Sequence, residues 1–219
     1  MKYKFVLPKR ENTFKTERGD PVYLHYNLPT GWMYKKRLIN TLSLLNKNNK
    51  KLLDVGYGSG ILFPSLLNFS ETCYGLEIHG KEKNIYEMLS KEALDNNRVI
   101  LREGSILNIP FPNEFFDSIV SVSTLEHMNP NGELDKSLKE IHRVLKDNGI
   151  VVLSFPIRNI ITDWFYEIVG FKPRDIHPSS HNNIINVAKK YFIIEKILKF
   201  PSFRNINFSL YCTIRCKKK

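Results

Sequence analysis

Short apolar runs alternate with segments of helical periodicity through the central part of this 219-residue chain. The apolar runs, which predict buried strands, cover 51–55, 72–77, 98–102, 115–121 and 149–155. The segments that predict helices cover 60–68, 81–95 and 133–146. Because parallel strands need long crossover connections, this alternation predicts an α/β fold built on a parallel sheet.

The two ends of the chain follow different patterns. Residues 1–30 are aromatic and polar without a clear period and predict an irregular cover, while 32–45 predict a helix ahead of the first strand. Residues 157–188 contain aromatics, prolines and histidines, which predict helix and loop over the sheet edge. Residues 191–200 and 207–216 then predict two more strands at that edge.

The stretch KLLDVGYGSGILF at 51–63 is the most informative part of the chain. Its strand-like run ends at Asp54. Glycines follow at alternate positions, Gly56, Gly58 and Gly60. Glycine tolerates positive φ and has no Cβ, so a ligand can lie against the main chain, and the N–H groups of a following helix would point at the same place. A dinucleotide pattern would need glycine in place of Ile61, and the Gly-Lys-Ser/Thr of a Walker loop is absent.

Three further features follow this loop. Glu77 ends the strand-like run TCYGLE, where an acid on the neighbouring parallel strand can accept hydrogen bonds from both ribose hydroxyls of a nucleoside. Residues 104–127 read GSILNIPFPNEFFDSIVSVSTLEH, and residues 141–153 read IHRVLKDNGIVVL. Together with the Asp-x-Gly-x-Gly-x-Gly of 54–60, they resemble the motifs of the class I S-adenosylmethionine-dependent methyltransferases, over roughly residues 50–156.

This resemblance implies a Rossmann-like, seven-stranded, mostly parallel sheet with helices on both faces and the last strand pair antiparallel. The chain would divide into a cover segment with a leading helix at 1–48 and a methyltransferase domain at 49–219. Within that domain, 157–188 would form an insertion on the acceptor side. The family's late Pro-Gly turn is replaced by Asp147-Asn148-Gly149, whose residues tolerate left-handed turn geometry.

The resemblance also implies S-adenosylmethionine as the cofactor. The residues that would contact it are Asp54, Gly56, Tyr57, Gly58, Gly60, Glu77, Ile78, Ser105, Ile106, Ser123 and Thr124. In the family's pattern, the glycine loop surrounds the amino-acid part of the cofactor and Glu77 holds the ribose. Ile78, Ser105 and Ile106 would flank the adenine, and residues 123–124 would face the methionyl portion.

Two of these assignments keep alternatives open. The family often has Asp where Ser105 stands, but a serine hydroxyl can still accept a hydrogen bond from the adenine amino group. Asp54 either contacts the cofactor directly or braces the loop through hydrogen bonds to its backbone.

Three histidines are candidate catalytic residues on the acceptor side. His127 follows the fourth strand and could act as a general base at neutral pH, although the family carries Glu-His here across many chemistries, which favours a structural role. His177 and His181 lie in the predicted insertion and could contact the acceptor or take its proton. Because Pro178 stands between them, they are not expected on one helix face, and no metal site is predicted.

The formal net charge of +11 could attract nucleic acid, acidic lipid or anionic metabolites. The basic residues are scattered, however, and alanine occurs only at Ala93 and Ala188, which indicates a compositional bias and a lysine-heavy surface. Nucleic acid is therefore a possible partner but not the favoured one. No oligomeric state is predicted.

The cysteines and apolar runs indicate the compartment. Cys212 and Cys216 lie four apart on a predicted strand, too far for a disulfide, so a reduced, cytoplasmic protein is expected. No run reaches the length of a membrane span, and residues 1–5 lack the apolar core of a secretory signal.

The favoured function is methylation of oxygen, nitrogen or carbon on a small-molecule acceptor by in-line transfer. One alternative is an RNA- or protein-directed methyltransferase, for which the charge is the argument. Against it, Ser123-Thr124-Leu125-Glu126 replaces the Asn/Asp-Pro-Pro-Tyr/Phe used in base-amino methylation, and no Pro-Cys nucleophile occurs. A second alternative is a non-catalytic protein that only binds S-adenosylmethionine.

Overall fold

The computed structural model describes residues 4–16, 20–28, 30–160, 162–163 and 173–219, the side chains of 173 and 174 excepted. The strands are β1 (Asn49–Val55), β2 (Ser70–Glu77), β3 (Val99–Glu103), β4 (Phe116–Val122), β5 (Leu145–Pro156), β6 (Phe192–Phe200) and β7 (Tyr211–Lys218). The helices are α1 (Gly31–Ser43), α2 (Phe63–Leu66), α3 (Glu82–Lys91), α4 (Glu133–Val144), α5 (Pro173–Ile176) and α6 (His181–Tyr191). Short 3₁₀ turns lie at Arg10–Asn12, Val22–His25, Asn96–Arg98, Leu125–His127 and Ile206–Phe208.

These strands form one sheet in the order β3-β2-β1-β4-β5-β7-β6. The first five strands pair in parallel, whereas β7 runs antiparallel to both β5 and β6. The predicted α/β fold, with a mostly parallel sheet closed by an antiparallel pair, is confirmed. The strand order reverses between β1 and β4, and a ligand crevice is expected there, at the carboxyl ends of the strands.

Helices cover both faces of the sheet and bury two apolar cores. On one face, α4 and α6 contribute Leu134, Leu138, Ile141, Ile184 and Ala188. On the other face, α1, α2 and α3 contribute Leu38, Leu42, Phe63, Ile85 and Met88. The strands between them are buried on both sides, which explains why they read as apolar runs without alternation.

Two predicted helices are shorter than their patterns. The 60–68 pattern gives a single helical turn, α2, with Pro64 in its first turn. Because α2 begins at Phe63, the glycine loop leads into a turn and not directly into a helix N-terminus, so that part of the prediction was wrong. The 81–95 pattern ends early because Ala93 adopts a left-handed φ of 53° and Leu94 N–H returns to the Leu89 carbonyl at 2.9 Å.

The late turn also differs from its prediction. Leu145 already belongs to β5 and pairs with Phe116, and the register then shifts so that Ser118 pairs with Ile150. Neither Asp147 nor Asn148 has a positive φ. The left-handed geometry that these residues tolerate is therefore not used, because they are absorbed by an irregularity in the strand.

The amino-terminal segment is packed into the domain. Val22 is fully buried, and the N–H of Val6 donates to Ser65 Oγ of α2 at 2.8 Å. Lys9 N–H donates to the Glu92 carboxylate at 2.8 Å, and the Lys81 ammonium donates to the Thr16 carbonyl. These contacts tie the segment to the side of the sheet that carries β2 and α3.

The predicted 157–188 insertion divides into two parts. Its last quarter belongs to α6, which packs on α4 in the core and leads into β6 as an ordinary crossover helix. Residues 161 and 164–172 lie outside the described part of the chain. That the insertion contacts the acceptor therefore stays a prediction, and it now applies only to the residues before α6.

The described helices include none that is both long and apolar enough to cross a bilayer. Cys73, Cys212 and Cys216 are buried free thiols, as expected from their positions on β2 and β7.

Candidate active site

The glycine loop turns sharply after β1. Gly56, Gly58 and Gly60 have φ values of 74°, 52° and 70°, which disfavour residues with a Cβ. Gly56 N–H donates to the Leu76 carbonyl at 2.9 Å, and Gly60 N–H donates to the Tyr57 carbonyl at 2.9 Å. These bonds close the loop against the end of β2 and fix its backbone.

The three glycines are required for different reasons. A Cβ on Gly56 would lie 2.1 Å from Thr124 Oγ1, and a Cβ on Gly60 would lie 2.7 Å from Ile85 Cδ1. A Cβ on Gly58 would meet nothing within 4 Å. Gly56 and Gly60 therefore allow close packing of the loop on its neighbours, whereas Gly58 borders open space that a ligand can occupy.

Glu77 lies beside this open space at the end of β2. Its Oε2 accepts a hydrogen bond from Gly58 N–H at 3.0 Å, and its Oε1 accepts one from Ile78 N–H at 2.8 Å. Each carboxylate oxygen has a second lone pair available, so the side chain can also accept from two adjacent hydroxyls. This placement suits the predicted ribose contact.

Asp54 lies behind the loop and is only 3% exposed. Burial, with a further contribution from the nearby Glu77, raises the pKa of the Asp54 carboxyl to about 8. A side chain buried to this extent has little open surface to offer a ligand in the crevice. Cofactor contact and bracing of the loop, the two alternatives left open by the sequence, both stay predictions.

The residues predicted to flank the adenine lie past Glu77. Ile78 is 71% exposed, so its side chain is accessible to an adenine ring. Ile106 is buried, and Ser105 Oγ accepts from Leu107 N–H at 3.2 Å. One of the two lone pairs on the Ser105 hydroxyl oxygen is thus engaged, and the second can still accept a hydrogen bond from a ligand.

Tyr57 and His79 support the loop from below. The Tyr57 ring is buried against Phe63 and His79, with centroid distances of 5.6 Å and 5.4 Å, and burial raises the pKa of its hydroxyl. His79 accepts from Lys81 N–H at Nδ1 (3.1 Å) and donates from Nε2 to the Gly58 carbonyl (2.9 Å). His79 was not predicted, because a histidine two residues after the strand end carries no signal of this contact.

The end of β4 forms the opposite wall of the crevice. Ser123 has a φ of 57°, a strained value for a residue other than glycine. Thr124 Oγ1 donates to the Val55 carbonyl at 3.2 Å and fills the space left by the missing Cβ of Gly56. Thr124 thus packs against the glycine loop, with Ser123 next to it in the chain. Their contact with the methionyl portion stays a prediction.

Arg37 of α1 reaches the same wall and was not predicted. Its Nη1 donates to Ser123 Oγ at 3.0 Å, and its Nη2 lies 3.4 Å from His25 Nε2. The guanidinium also lies over the rings of Tyr34 and Tyr211, at 4.8 Å and 5.8 Å from their centroids. Burial, followed by the charge of Arg37, lowers the pKa of His25 to about 3, so His25 is neutral and its Nε2 accepts from Arg37.

His127 and His177 come together beyond Thr124. His127 follows Glu126 in the 3₁₀ turn, and its ring lies 5.0 Å from that of His177 between centroids. His127 Nδ1 bonds to the Ile176 carbonyl at 2.8 Å. Burial, followed by the charges of His127 and Arg158, lowers the pKa of His177 to about 4.

His181 is separated from this pair. It is 2% exposed at the start of α6, its Nδ1 accepts from Arg158 N–H at 3.3 Å, and its Nε2 lies 3.2 Å from Asn207 Oδ1. Both ring nitrogens therefore hold neighbouring segments in place. The geometry supports a positioning role for His181 and gives no support to proton transfer by it.

The sequence model of the methyltransferase-domain family matches residues 53–153, the span from the glycine loop through the end of β4 to β5. Residues 53–153 therefore form a methyltransferase domain of the class I, S-adenosylmethionine-dependent kind. Its cofactor is S-adenosylmethionine, and the open space at Gly58 and the acceptor pair on Glu77 fit a nucleoside cofactor. The predictions of family and cofactor are confirmed; the contacts of individual residues stay predictions.

Several curated proteins are similar to this chain. An uncharacterized methyltransferase of Anoxybacillus flavithermus is 29% identical over 117 residues, or 53% of this chain and 51% of that protein. Norajmaline N-methyltransferase of Rauvolfia serpentina is 25% identical over 126 residues, or 57% of this chain and 42% of that protein. A tRNA (carboxymethyluridine(34)-5-O)-methyltransferase of Arabidopsis thaliana is 26% identical over 152 residues, or 67% of this chain and 35% of that protein. The chain spans about half the length, or less, of these relatives.

Among solved structures, the N-methyltransferase NodS of Bradyrhizobium japonicum, in complex with S-adenosyl-L-homocysteine, has a TM-score of 0.67 at 14% identity. The likeness covers 93% of this chain and 94% of that one. At this level of identity it shows that the fold is shared across nearly the whole chain.

Proposed function

We propose that this protein transfers the methyl group of S-adenosylmethionine to a small-molecule acceptor. The observation that carries the proposal is the open space bordered by Gly58 and Glu77 at the carboxyl ends of β1 and β2. Its floor is backbone without a side chain, and its wall is a carboxylate already oriented by two N–H groups. A nucleoside fits this arrangement because its ribose can lie against the loop while its hydroxyls donate to Glu77.

Arg37 supports the methionyl side of the proposal. Its guanidinium is held by Ser123 and His25, neither of which is charged in this arrangement, and its Nε is buried without a hydrogen-bond partner among the described residues. Because its hydrogen-bond partners are neutral, the Arg37 guanidinium is suited to bind an anionic group of a ligand. We assign it to the carboxylate of the cofactor, next to Ser123 and Thr124.

The chemistry that these residues need to support is modest. When bound, S-adenosylmethionine supplies an already activated methyl carbon. The glycine loop and Glu77 would hold the nucleoside end of the cofactor and Arg37 its carboxylate end, so that the methyl group points toward the end of β4. Orientation of donor and acceptor can contribute on the order of 7–11 kcal/mol to lowering the barrier, so a general base is not required.

The acceptor is assigned to the small-molecule class on three grounds. The basic residues that give the charge of +11 are scattered along the sequence. The end of β4 reads STLE in place of a base-methylation motif. The similar protein from Rauvolfia serpentina is named norajmaline N-methyltransferase.

An RNA acceptor is the second candidate, favoured by the net charge and by the similarity to the Arabidopsis thaliana tRNA methyltransferase. The two candidates differ in salt dependence. RNA binding through phosphate contacts would lose affinity steeply with salt. On single strands the logarithm of the binding constant falls against the logarithm of the salt concentration with a slope of about −0.7 per contacted phosphate.

Transfer of a labelled methyl group tests the proposal. The protein is incubated with S-adenosylmethionine labelled in the methyl carbon, and with either a small-metabolite extract or total RNA from the same cells. We expect label in the metabolite fraction and none in RNA at physiological salt. Label found only in RNA would contradict the small-molecule proposal and support the RNA acceptor. Cofactor binding with no label in metabolites, RNA or protein would indicate a protein that only binds the cofactor.

A further inference from the structure

Glu126, His127 and His177 form a cluster beyond the residues assigned to the cofactor. Each offers one ligand atom, and these three atoms lie within 4.8 Å of one another. Glu126 and His127 belong to the 3₁₀ turn after β4, whereas His177 follows α5. Two bonds dock the second segment on the first: Ser179 N–H donates to the Glu126 carbonyl at 3.1 Å, and Ser179 Oγ donates to the Met128 carbonyl at 2.6 Å.

The Glu126 carboxylate is the unusual member of this cluster. The residue is 1% exposed, and neither carboxylate oxygen has a hydrogen-bond partner among the described residues. A buried carboxylate without a partner is costly, and such groups are normally paired or coordinate a cation. Glu126 and His177 also line a common cavity between the ends of β4 and β5.

His127 is oriented as metal-binding histidines are. Because a carbonyl oxygen can only accept, Nδ1 must carry the hydrogen that is donated to Ile176 at 2.8 Å. The lone pair of the neutral ring then lies on Nε2. Metal-ligating histidines almost always donate their second ring N–H to a carbonyl, a carboxylate or water, which fixes the tautomer in this way.

The cavity also contains the charged pair Arg158 and Asp163. Arg158 Nε donates to Asp163 Oδ1 at 3.3 Å, so the positive charge of the arginine is balanced within the cavity wall. Arg37 contributes a positive charge farther away on the cofactor side of Glu126. Because Arg158 is paired with Asp163, it leaves the negative charge of Glu126 available to a cation.

We propose that Glu126, His127 and His177 bind a divalent first-row transition-metal ion, with Zn²⁺ as the best match. Two imidazoles and one carboxylate are a known catalytic zinc set, at about 2.0–2.1 Å for nitrogen and 2.0–2.2 Å for oxygen, with a fourth position left open. The three side chains need to close inward from their present separations to reach these distances. Mg²⁺ is disfavoured because it prefers an octahedral shell of oxygen ligands. The inference stands on these three ligands and does not rest on the proposed function.

Calorimetric titration of the untagged full chain with Zn²⁺ tests the site, and a parallel titration with Mg²⁺ tests its selectivity. We expect one Zn²⁺ per chain and no measurable heat from Mg²⁺. Glu126→Gln keeps the size of the buried side chain and removes its charge, and His127→Ala removes the oriented ring. Each is expected to weaken Zn²⁺ at least about 100-fold, because even changes to residues that support metal ligands cost 10–100-fold.

His142→Gln is the matched control, because His142 lies on α4 next to Tyr191, away from the cluster. Its Zn²⁺ affinity should equal that of the wild type. Circular dichroism and binding of S-adenosylhomocysteine establish that each variant is folded. Absence of Zn²⁺ binding by folded wild type would overturn the proposal, and so would Zn²⁺ binding by Glu126→Gln and His127→Ala that equals that of the wild type. Either result would leave the methyltransferase assignment untouched.

Discussion

The backbone N–H of Gly58 donates to Glu77 Oε2 at 3.0 Å. This bond joins the loop after β1 to the acid at the end of β2, so the two elements assigned to the cofactor position each other before a ligand arrives. Preorganisation of this kind lowers the entropy that binding must overcome. Loss of the acid should therefore affect both the ribose contact and the loop.

Glu77→Ala is expected to weaken cofactor binding by about 1.5–3 kcal/mol, because charged acceptors form the stronger hydrogen bonds. Calorimetric titration with S-adenosylhomocysteine measures this change. Glu71→Ala serves as control, since Glu71 is an exposed acid at the opposite end of the same strand. Equal affinity of Glu77→Ala and the control would remove Glu77 from the cofactor site.

Ser105→Ala is expected to cost less, about 1 kcal/mol, since it removes a neutral hydrogen bond. The Leu107 N–H that donates to Ser105 Oγ remains close to the crevice and can take a water or ligand acceptor instead. The same titration compares the two variants directly. A larger loss for Ser105→Ala than for Glu77→Ala would mean that the adenine and ribose ends are assigned in reverse.

Arg37→Ala is expected to weaken S-adenosylhomocysteine by about 1.5–3 kcal/mol if its guanidinium binds the cofactor carboxylate. Lys36→Ala, on the exposed side of the same helix, is the control. A ligand without the carboxylate separates a direct contact from a structural effect. Adenosine should bind the wild type and Arg37→Ala equally well, and an equal loss for both ligands would contradict the assignment.

The raised pKa of Asp54 leads to a prediction of how the free energy of unfolding depends on pH. Its pKa of about 8 in the folded protein lies above the value near 4 of an unfolded chain, so the folded state keeps a proton that the unfolded state releases. This carboxyl therefore makes the free energy of unfolding fall as pH rises from about 4 to about 8, by up to about 1.4 kcal/mol per pH unit. Asp54→Asn removes that contribution.

Urea unfolding of wild type and Asp54→Asn at several pH values measures the contribution of Asp54 to the free energy of unfolding. The other titrating groups contribute equally to both proteins and cancel in the difference. The free energy of unfolding of wild type should fall relative to that of Asp54→Asn between pH 5 and 8. A constant difference across this range would mean that Asp54 is ionised in the folded protein.

Much of the fold follows from local patterns. Strands such as β4 and β5 are buried on both faces and are bounded by polar residues, so their apolar runs mark them clearly. The helix boundaries are less predictable, because Ala93 is a strong helix former that nevertheless ends α3 in a left-handed conformation. Tertiary packing of Leu94 overrides local propensity there.

The candidate site was predicted only where its residues belong to one sequence motif. The glycine loop and Glu77 are adjacent through the β1–β2 pairing, which the strand pattern implies. The contact between Arg37 and Ser123 joins residues 86 positions apart, and the cluster of His127 with His177 depends on a loop docked over the sheet. Such contacts arise from how distant segments pack, and a single sequence carries no signal of them.

The central claim is that the open space at Gly58 holds S-adenosylmethionine, and one comparison tests it most directly. Gly58→Val puts a branched side chain into that space. Gly132→Val is the control, because Gly132 also has a positive φ and nothing within 4 Å of its Cβ position, but lies at the start of α4. In calorimetric titrations with S-adenosylmethionine, wild type and Gly132→Val should bind alike and Gly58→Val should show no binding while remaining folded by circular dichroism. Unchanged binding by Gly58→Val, or no binding by folded wild type, would contradict the account.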